Sequence, residues 1–285
     1  MNTSSIRNIS DTAFWVASYR ALESEREDAL FRDPLAALLV GEYGEKVSNA
    51  MKPIARYAYW SVIVRTCLID EYILKYVSQG YKTIINLGAG LDTRPYRLSL
   101  PQGIQWIEVD FPEVVDLKNE ILKFHRPKCD LERIGLDLSN RAERERLFGE
   151  LNHRIGPALI LTEGVIPYLN ESSVSSLAHD IKNQSNFKLW IAEYYSPEVY
   201  PRYQSQKFRS LLGGAPFQFF PSDWFSFFEG CGWTQKEIKY IHDEAGKHNR
   251  KFPLPWWASL LRLIIGEKRM MKKIRKFSAY IVFEK

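Results

Sequence analysis

The chain has 285 residues, 45% hydrophobic and 14% aromatic, enough to bury a full core, most simply as one large α/β domain with additions. Its formal charge of +5 is mild and spread along the chain except near the C-terminus, which gives no general case for a nucleic-acid partner. Three widely separated cysteines, Cys67, Cys129 and Cys231, with no Cys-x-x-Cys spacing, argue against a disulfide framework and fit a reduced compartment.

The N-terminal MNTSSIRNISD has no apolar core of a signal peptide, and nowhere do 18 apolar residues run unbroken, so a cytoplasmic, soluble protein is expected. Residues 1 to 80 carry helical rather than alternating patterns and are expected to form a helical cap ahead of the core domain, 81 to 285. Ser10 or Asp11 is placed to cap a first helix through Trp15 and Tyr19. Asp33-Pro34 gives the N-cap and N1 signature of a second. A third runs from about Tyr59 to Val77, with Gly80 beyond it, and its apolar body contains Arg65. A guanidinium is costly to bury unpaired, so Arg65 snorkels, pairs with a carboxylate such as Asp70, or faces a ligand carboxylate.

From residue 82 onward strand and helix patterns alternate, the signature of a doubly wound sheet. Strands are expected at 83 to 87, 104 to 109, 131 to 136, 158 to 163, 187 to 193, about 233 to 241, and in the C-terminal FSAYIVFEK; helices at 113 to 124, 141 to 151 and 171 to 183, the last capped by Asn170. The run Thr83 to Leu87 enters a turn at Gly88-Ala89-Gly90, where bare backbone can approach a ligand. Asp110 ends the next strand 20 residues after Gly90, the spacing at which a carboxylate meets ribose hydroxyls. The dinucleotide pattern fails, because Arg94 stands at the third glycine position and Asp92 lies in the turn. A pyrophosphate disfavours a nearby carboxylate, whereas Asp92 suits a ligand end that bears positive charge. S-adenosylmethionine is such a ligand: a ribonucleoside with a sulfonium and an amino-acid tail, and no phosphate.

Residues 196 to 221 interleave Pro, Gly, Tyr and Phe and read as an irregular substrate lid. Ser222 is placed to cap the next helix. The basic run Arg262 to Lys276, preceded by PWWASLL, reads as a solvated connection over the pocket, with weak contact of 256 to 276 with an anionic membrane surface as the alternative.

Four separated stretches, SYRALESEREDALFRDPLAALLV (18 to 40), VRTCLIDEYI (64 to 73), NLGAGLDTRPYRL (86 to 98) with IEVDFPEVVDLK (107 to 118), and TEGVIPYL (162 to 169), together resemble the leucine carboxyl methyltransferase family, whose bacterial branch includes polyketide O-methyltransferases. The resemblance implies a class I methyltransferase fold of the α/β class: a seven-stranded, Rossmann-like, mostly parallel sheet with an antiparallel last strand beside the fifth, plus an N-terminal helical extension. It implies S-adenosylmethionine as cofactor, with Gly88 and Gly90 against its tail and ribose, Asp110 on the ribose hydroxyls, and Asp137-Leu138 on adenine through a carboxylate and a backbone N–H. It also implies Arg65 on the cofactor carboxylate, Glu163 at the methionine end, Arg20 near the same carboxylate, and Tyr168 as the residue that orients the acceptor.

The expected reaction is therefore methyl transfer to a carboxylate or hydroxyl of a small molecule, with an apolar acceptor suggested by the aromatic residues between Tyr194 and Phe228. A carboxylate acceptor needs only an orienting group. A hydroxyl needs a base, for which His242 and His248 are candidates. The five histidines form no cluster at metal spacing, and no metal is expected. The alternatives are methylation of a protein C-terminal carboxylate and a non-catalytic cofactor-binding module docked on a membrane.

Overall fold

The apolar runs pair into one seven-stranded sheet, built from β1 (Thr83–Leu87), β2 (Gln105–Asp110), β3 (Asp130–Gly135), β4 (Ala158–Thr162), β5 (Phe187–Tyr195), β6 (Thr234–Tyr240) and β7 (Ser278–Glu284). The computed structural model describes residues 9–51, 54–253 and 274–285. The spatial order is β3-β2-β1-β4-β5-β7-β6. Strands β1 to β5 run parallel, and β7 lies antiparallel between β5 and β6. The order reverses between β1 and β4, and in an open α/β sheet that switch point leaves a crevice beyond the carboxyl ends of the strands.

Both faces of the central strands are covered, which is why β1 and β4 read as continuous apolar runs. On one face Ile84, Leu159, Leu161 and Ile191 pack against α3 (Ala55–Ser78) and α11 (Ile241–Lys247). On the other, Ile85, Leu87, Ile160 and Trp190 pack against α6 (Arg141–Arg154), α7 (Glu171–Lys182) and α10 (Trp224–Gly230). Helix α3 is thus a layer of the core, and only α1 (Ile9–Ser24) and α2 (Pro34–Ala50) form a cap. That cap packs Ala17, Leu39 and Val40 against Leu91 of the glycine turn, and Trp15 and Tyr19 in one cluster with Tyr168 and Leu212.

Local capping follows side-chain reach. Asp33 Oδ1 accepts from Ala36 N at 3.1 Å at the start of α2, and Asn170 Oδ1 accepts from Ser173 N at 2.9 Å at the start of α7. Helix α1 starts at Ile9, so Ser10 and Asp11 lie inside its first turn rather than capping it. Helix α10 is capped by Asp223, not Ser222: one carboxylate oxygen takes Phe225 N at 2.8 Å and Ser226 N at 3.0 Å, a pair of N–H groups that a hydroxyl one residue earlier does not span. The segment 196 to 221 is less irregular than its composition suggests. It forms a 3-10 turn at Pro197–Val199, then α8 (Tyr200–Gln204) and α9 (Gln206–Leu212), the latter started by Ser205 Oγ on Phe208 N at 3.3 Å.

The basic stretch lies outside the described residues up to 273; of the remainder, Arg275 pairs with Asp243 at 2.5 Å. Among the described residues no helix is long and apolar enough to cross a membrane.

The turn after β4 is held from the neighbouring strand. Glu193 on β5 is 2% exposed, and its Oε1 accepts from Val165 N at 2.9 Å and Ile166 N at 3.1 Å. Its Oε2 has no partner among the described residues. Burial pushes this carboxyl from its ordinary 4.5 up to about 7, against the pull of backbone N–H groups, its own and that of Val165, and of Arg65. Folding therefore opposes ionisation, and stability declines as pH rises from about 4.5 towards 7. Glu193→Gln keeps an amide oxygen for both N–H groups and removes the ionisation. Its melting temperature is expected to exceed the wild-type value at pH 8 by several degrees, since roughly 1 kcal/mol moves Tm by about 2–4 °C in chains of comparable size, and the gap is expected to shrink at pH 5. Circular dichroism melts at the two pH values check this; an equal gap at both would contradict it.

Candidate functional site

The site begins where β1 ends. Gly88 and Gly90 hold φ of +69° and +49°, a region open to glycine, and Gly88 N and Ala89 N both donate to Val109 O of β2, at 2.8 and 3.2 Å. A Cβ on Gly88 would lie 2.4 Å from Val165 Cγ2, so the close approach of the β1 and β4 turns excludes any larger residue. Asp110, at the end of β2, accepts from Gly90 N at 2.6 Å and Phe111 N at 2.7 Å through separate oxygens. Its carboxylate is thereby fixed at the rim with lone pairs left over on both oxygens. Burial pushes its pKa up despite these bonds.

Next to the turn lies a network of three guanidiniums and three carboxylates. Arg94, 2% exposed at the start of α4 (Arg94–Arg97), bonds Asp70 of α3 at 2.7 Å, Asp92 of the glycine turn at 2.7 Å and Glu163 after β4 at 2.8 Å. Arg97 adds a second contact to Asp70 at 2.5 Å, and Arg65 Nε reaches Glu163 Oε1 at 2.9 Å. Asn86 Nδ2 donates to the same Asp92 oxygen at 2.9 Å. Burial pushes the Asp92 and Glu163 carboxyls up, but Arg94 beside both, and Arg65 beside Glu163, outweigh it and hold them below the usual carboxylate range.

A cavity of about 360 Å³ runs from this network to the rim, and it is lined by every candidate site residue read from the sequence except the two histidines: Arg20, Arg65, Gly88, Gly90, Asp92, Asp110, Asp137, Leu138, Glu163 and Tyr168. Their surroundings differ from the expectations in four places. Arg65 pairs with Glu163, not Asp70, because Asp70 is taken by Arg94 and Arg97. Asp92 is neutralised by Arg94 and is not a free anion waiting for a cation. Arg20 is a brace: its Nε bonds Asp33 at 2.9 Å and its Nη2 bonds Leu91 O at 2.5 Å, tying the cap to the glycine turn. The proposed histidine bases are elsewhere. His242 is buried between Trp60 and Phe252, where burial pushes its pKa down to about 4, and His248 sits 3.2 Å from Glu71. Neither lines the cavity.

Some hydrogen-bonding groups on the wall remain open. Arg65 makes no hydrogen bond through its two Nη groups among the described residues. Among the described residues Asp137 Oδ1 takes Ser139 N at 2.8 Å, Oδ2 has no partner, and the neighbouring Leu138 N–H makes no bond. The far end is aromatic: Tyr57, Tyr168, Tyr195, Tyr203, Phe208 and Phe217. Phe217 is central there, with its ring centroid 5.1 Å from those of Tyr168 and Tyr203. Burial pushes all four phenols up, so they are neutral O–H groups at pH 7.

Sequence reasoning saw Arg94 only as a break in a glycine pattern and did not find Asp70 as its partner. A buried guanidinium in a two-glycine turn was the available signal, but its partners lie 24 and 69 residues away. It also missed one group of metal-capable ligands among the described residues. Glu71, Glu244 and His248 bring one donor atom each within 4.8 Å of one another, although Lys239 and Lys247 already neutralise the two carboxylates at 2.8 Å.

The sequence and fold both match known proteins. A family model described as leucine carboxyl methyltransferase matches residues 13–182. A protein of Streptomyces coelicolor, provisionally named an S-adenosyl-L-methionine-dependent methyltransferase, is 35% identical over 182 residues, 61% of this chain and 64% of that protein, so the match spans under two thirds of the relative's length. A Frankia alni protein with the same provisional name is 28% identical over 254 residues, 86% of this chain and 88% of that one. Among solved structures, a provisionally named methyltransferase from Thermobifida fusca superposes with a TM-score of 0.58 at 12% identity, covering 100% of this chain and 97% of that one. A DUF574 family protein from Streptomyces avermitilis gives 0.55 at 12% identity, covering 94% and 96%. At such identities the structures speak to the fold alone, which is that of the class I methyltransferases. The family match covers well over half of the residues, and the chain belongs to the leucine carboxyl methyltransferase family.

Proposed function

We propose that the protein is an S-adenosylmethionine-dependent O-methyltransferase acting on an acidic oxygen, a carboxylate above all, of a small apolar acceptor. The observation that carries this reading is the pattern of groups left open along one cavity: a fixed carboxylate at Asp110, an acceptor–donor pair at Asp137 Oδ2 and Leu138 N–H, and the free Nη groups of Arg65. These complement, in that order, ribose hydroxyls, the N6 and N1 edge of adenine, and an amino-acid carboxylate. Asp92 and Glu163 then shape the neutral lining between Arg65 and the glycine turn. The ligand brings an activated methyl group; the chain contributes binding, alignment and exclusion of water, and proximity of this kind is worth up to about 7–11 kcal/mol.

The acceptor end supports the second half of the proposal. Its phenols are protonated, its carboxylates are paired with arginines, and no histidine lines it among the described residues. A base to deprotonate an ordinary alcohol is therefore missing there, whereas a carboxylate is already ionised at pH 7 and accepts hydrogen bonds from Tyr168 and its neighbours. When bound, S-adenosylmethionine would supply a methyl carbon whose bond to sulfur breaks, with the electrons left on sulfur, as the bond to the acceptor oxygen forms. No proton has to move. The aromatic wall of Tyr195, Tyr203, Phe208 and Phe217 favours an apolar body on the acceptor.

Isothermal titration with S-adenosylhomocysteine, with NADH as control, tests the cofactor assignment: micromolar binding of the first alone is expected, and binding of NADH alone would refute it. Asp110→Ala removes two charge-assisted bonds to ribose and is expected to weaken S-adenosylhomocysteine by roughly 100-fold or more, at about 1.5–3 kcal/mol per bond. Arg65→Met should weaken it by about 10- to 100-fold, a loss of one charge-assisted contact, while Glu163 stays paired with Arg94 and the fold survives. Unchanged affinity in both variants, measured by the same titration, would remove the assigned site.

A further inference from the structure

One buried ion pair lies behind the cavity wall rather than in it. Arg144 of α6 and Asp180 of α7 are 4% and 3% exposed. Arg144 Nε bonds Asp180 Oδ2 at 2.9 Å, its Nη2 bonds the same oxygen and Ser176 Oγ, the latter at 2.8 Å, and its Nη1 donates to Leu138 O at 2.5 Å. As a brace between two helices this pair is a poor choice. A buried ion pair is commonly no better than two well-packed apolar side chains, and Arg144 sits in the first turn of α6, where the helix dipole disfavours a cation. What an apolar pair lacks is the fork that reaches Leu138 O.

Leu138 O and Ser139 N belong to one peptide plane. Arg144 holds its carbonyl end, and Asp137 Oδ1 holds its N–H end at 2.8 Å. Tying both ends fixes the backbone on either side, and with it the directions of the Leu138 N–H and the Asp137 carboxylate, the two groups left open toward the cavity. Arg144 and Asp180 do not line that cavity themselves. We propose that Arg144 and Asp180 are positioning residues that set the base selectivity of the nucleoside site, by locking the 137–139 backbone so that a carboxylate acceptor and an N–H donor are presented as a pair to the adenine edge. This rests on the reading of the cavity as an S-adenosylmethionine site.

Adenine offers N6–H as donor and N1 as acceptor. Hypoxanthine offers O6 as acceptor and N1–H as donor, the reverse, so a rigid Asp137–Leu138 pair rejects it and a loosened one rejects it less. The pair R144M/D180L replaces both charges by apolar side chains of similar reach, leaves no buried charge uncompensated, since the exposed Arg141 that also neighbours Asp180 keeps Glu145, and is expected to fold with a Tm near or above the wild-type value. Titration of wild type and variant with S-adenosylhomocysteine and with S-inosylhomocysteine gives the selectivity ratio directly. Loss of one fixing hydrogen bond is expected to weaken S-adenosylhomocysteine about 10-fold and to lower the adenine-over-hypoxanthine ratio about 10-fold.

An unchanged ratio in the folded variant would reduce the pair to a helix brace and overturn the proposal. If wild type binds neither ligand, the cavity reading fails first, an outcome distinct from an unchanged ratio. Should R144M/D180L not fold, Arg144→Lys keeps Asp180 paired but has no planar fork to span from α7 to Leu138 O. A wild-type ratio in that folded variant also overturns the proposal.

Discussion

Arg94 is the constraint around which the rest of the site is arranged. Its guanidinium joins three segments that the chain visits far apart: α3 through Asp70, the glycine turn through Asp92, and the turn after β4 through Glu163. Three guanidiniums balance three carboxylates, so the network as a whole is neutral and can be buried. Removing the Arg94 side chain would leave the buried Asp92 with only neutral donors, Asn86 Nδ2 and the backbone N–H of residue 94, and breaking a buried pair in this way commonly costs about 3–5 kcal/mol. The network therefore fixes the distance between the two turns that wall the cavity, the same approach that leaves room for no Cβ on Gly88.

Neutrality at the centre also decides what the cavity can recognise. With Asp92 and Glu163 satisfied internally, the binding groups left over are few and spaced along its length: Arg65 at one position, Asp110 at the rim, and the Asp137–Leu138 pair beyond it. The remaining surface is aromatic and donor-rich, without an open base. This fixed set of open groups specifies both the charge and the hydrogen-bonding sense of a ligand. Helix α1 lines the same space through Thr12, Ala13, Trp15 and Val16, and Arg20 pins it to the glycine turn.

The sheet was legible in the residues because its signals are local. Continuous apolar strands, a two-glycine turn and Asp110 at its spacing sit within short windows, and β1 falls where it is expected, at Thr83–Leu87. The wall of the cavity was legible for a second reason: most of its named residues, Gly88, Gly90, Asp92, Asp110, Asp137, Leu138 and Glu163, lie at strand ends or in the turns that follow, where the topology of such a sheet brings side chains together, whereas Arg20 and Arg65 come from helices α1 and α3. What was not legible depends on contacts distant in sequence. The pairing of Arg65 with Glu163, of Arg94 with Asp70 and Glu163, and of Arg144 with Asp180 joins residues 24 to 98 apart, His242 enters an aromatic sandwich with a ring of α3, and Arg144 reaches Leu138 through a fork spanning two helices; no spacing announces them. The helical order at the start of 196 to 221 was hidden by Pro197 and Pro201, which fall in the first turns of the 3-10 turn and α8 instead of breaking them.

A crystal structure of the protein with S-adenosylhomocysteine is the most direct test of the central claim. The account predicts the amino-acid carboxylate on the Arg65 Nη groups, the ribose hydroxyls on Asp110, and the adenine edge on Asp137 Oδ2 and Leu138 N–H, with the Arg94 network unbroken. A ligand seated elsewhere, or one whose carboxylate displaces Arg94 from Glu163 or Asp92, would contradict it.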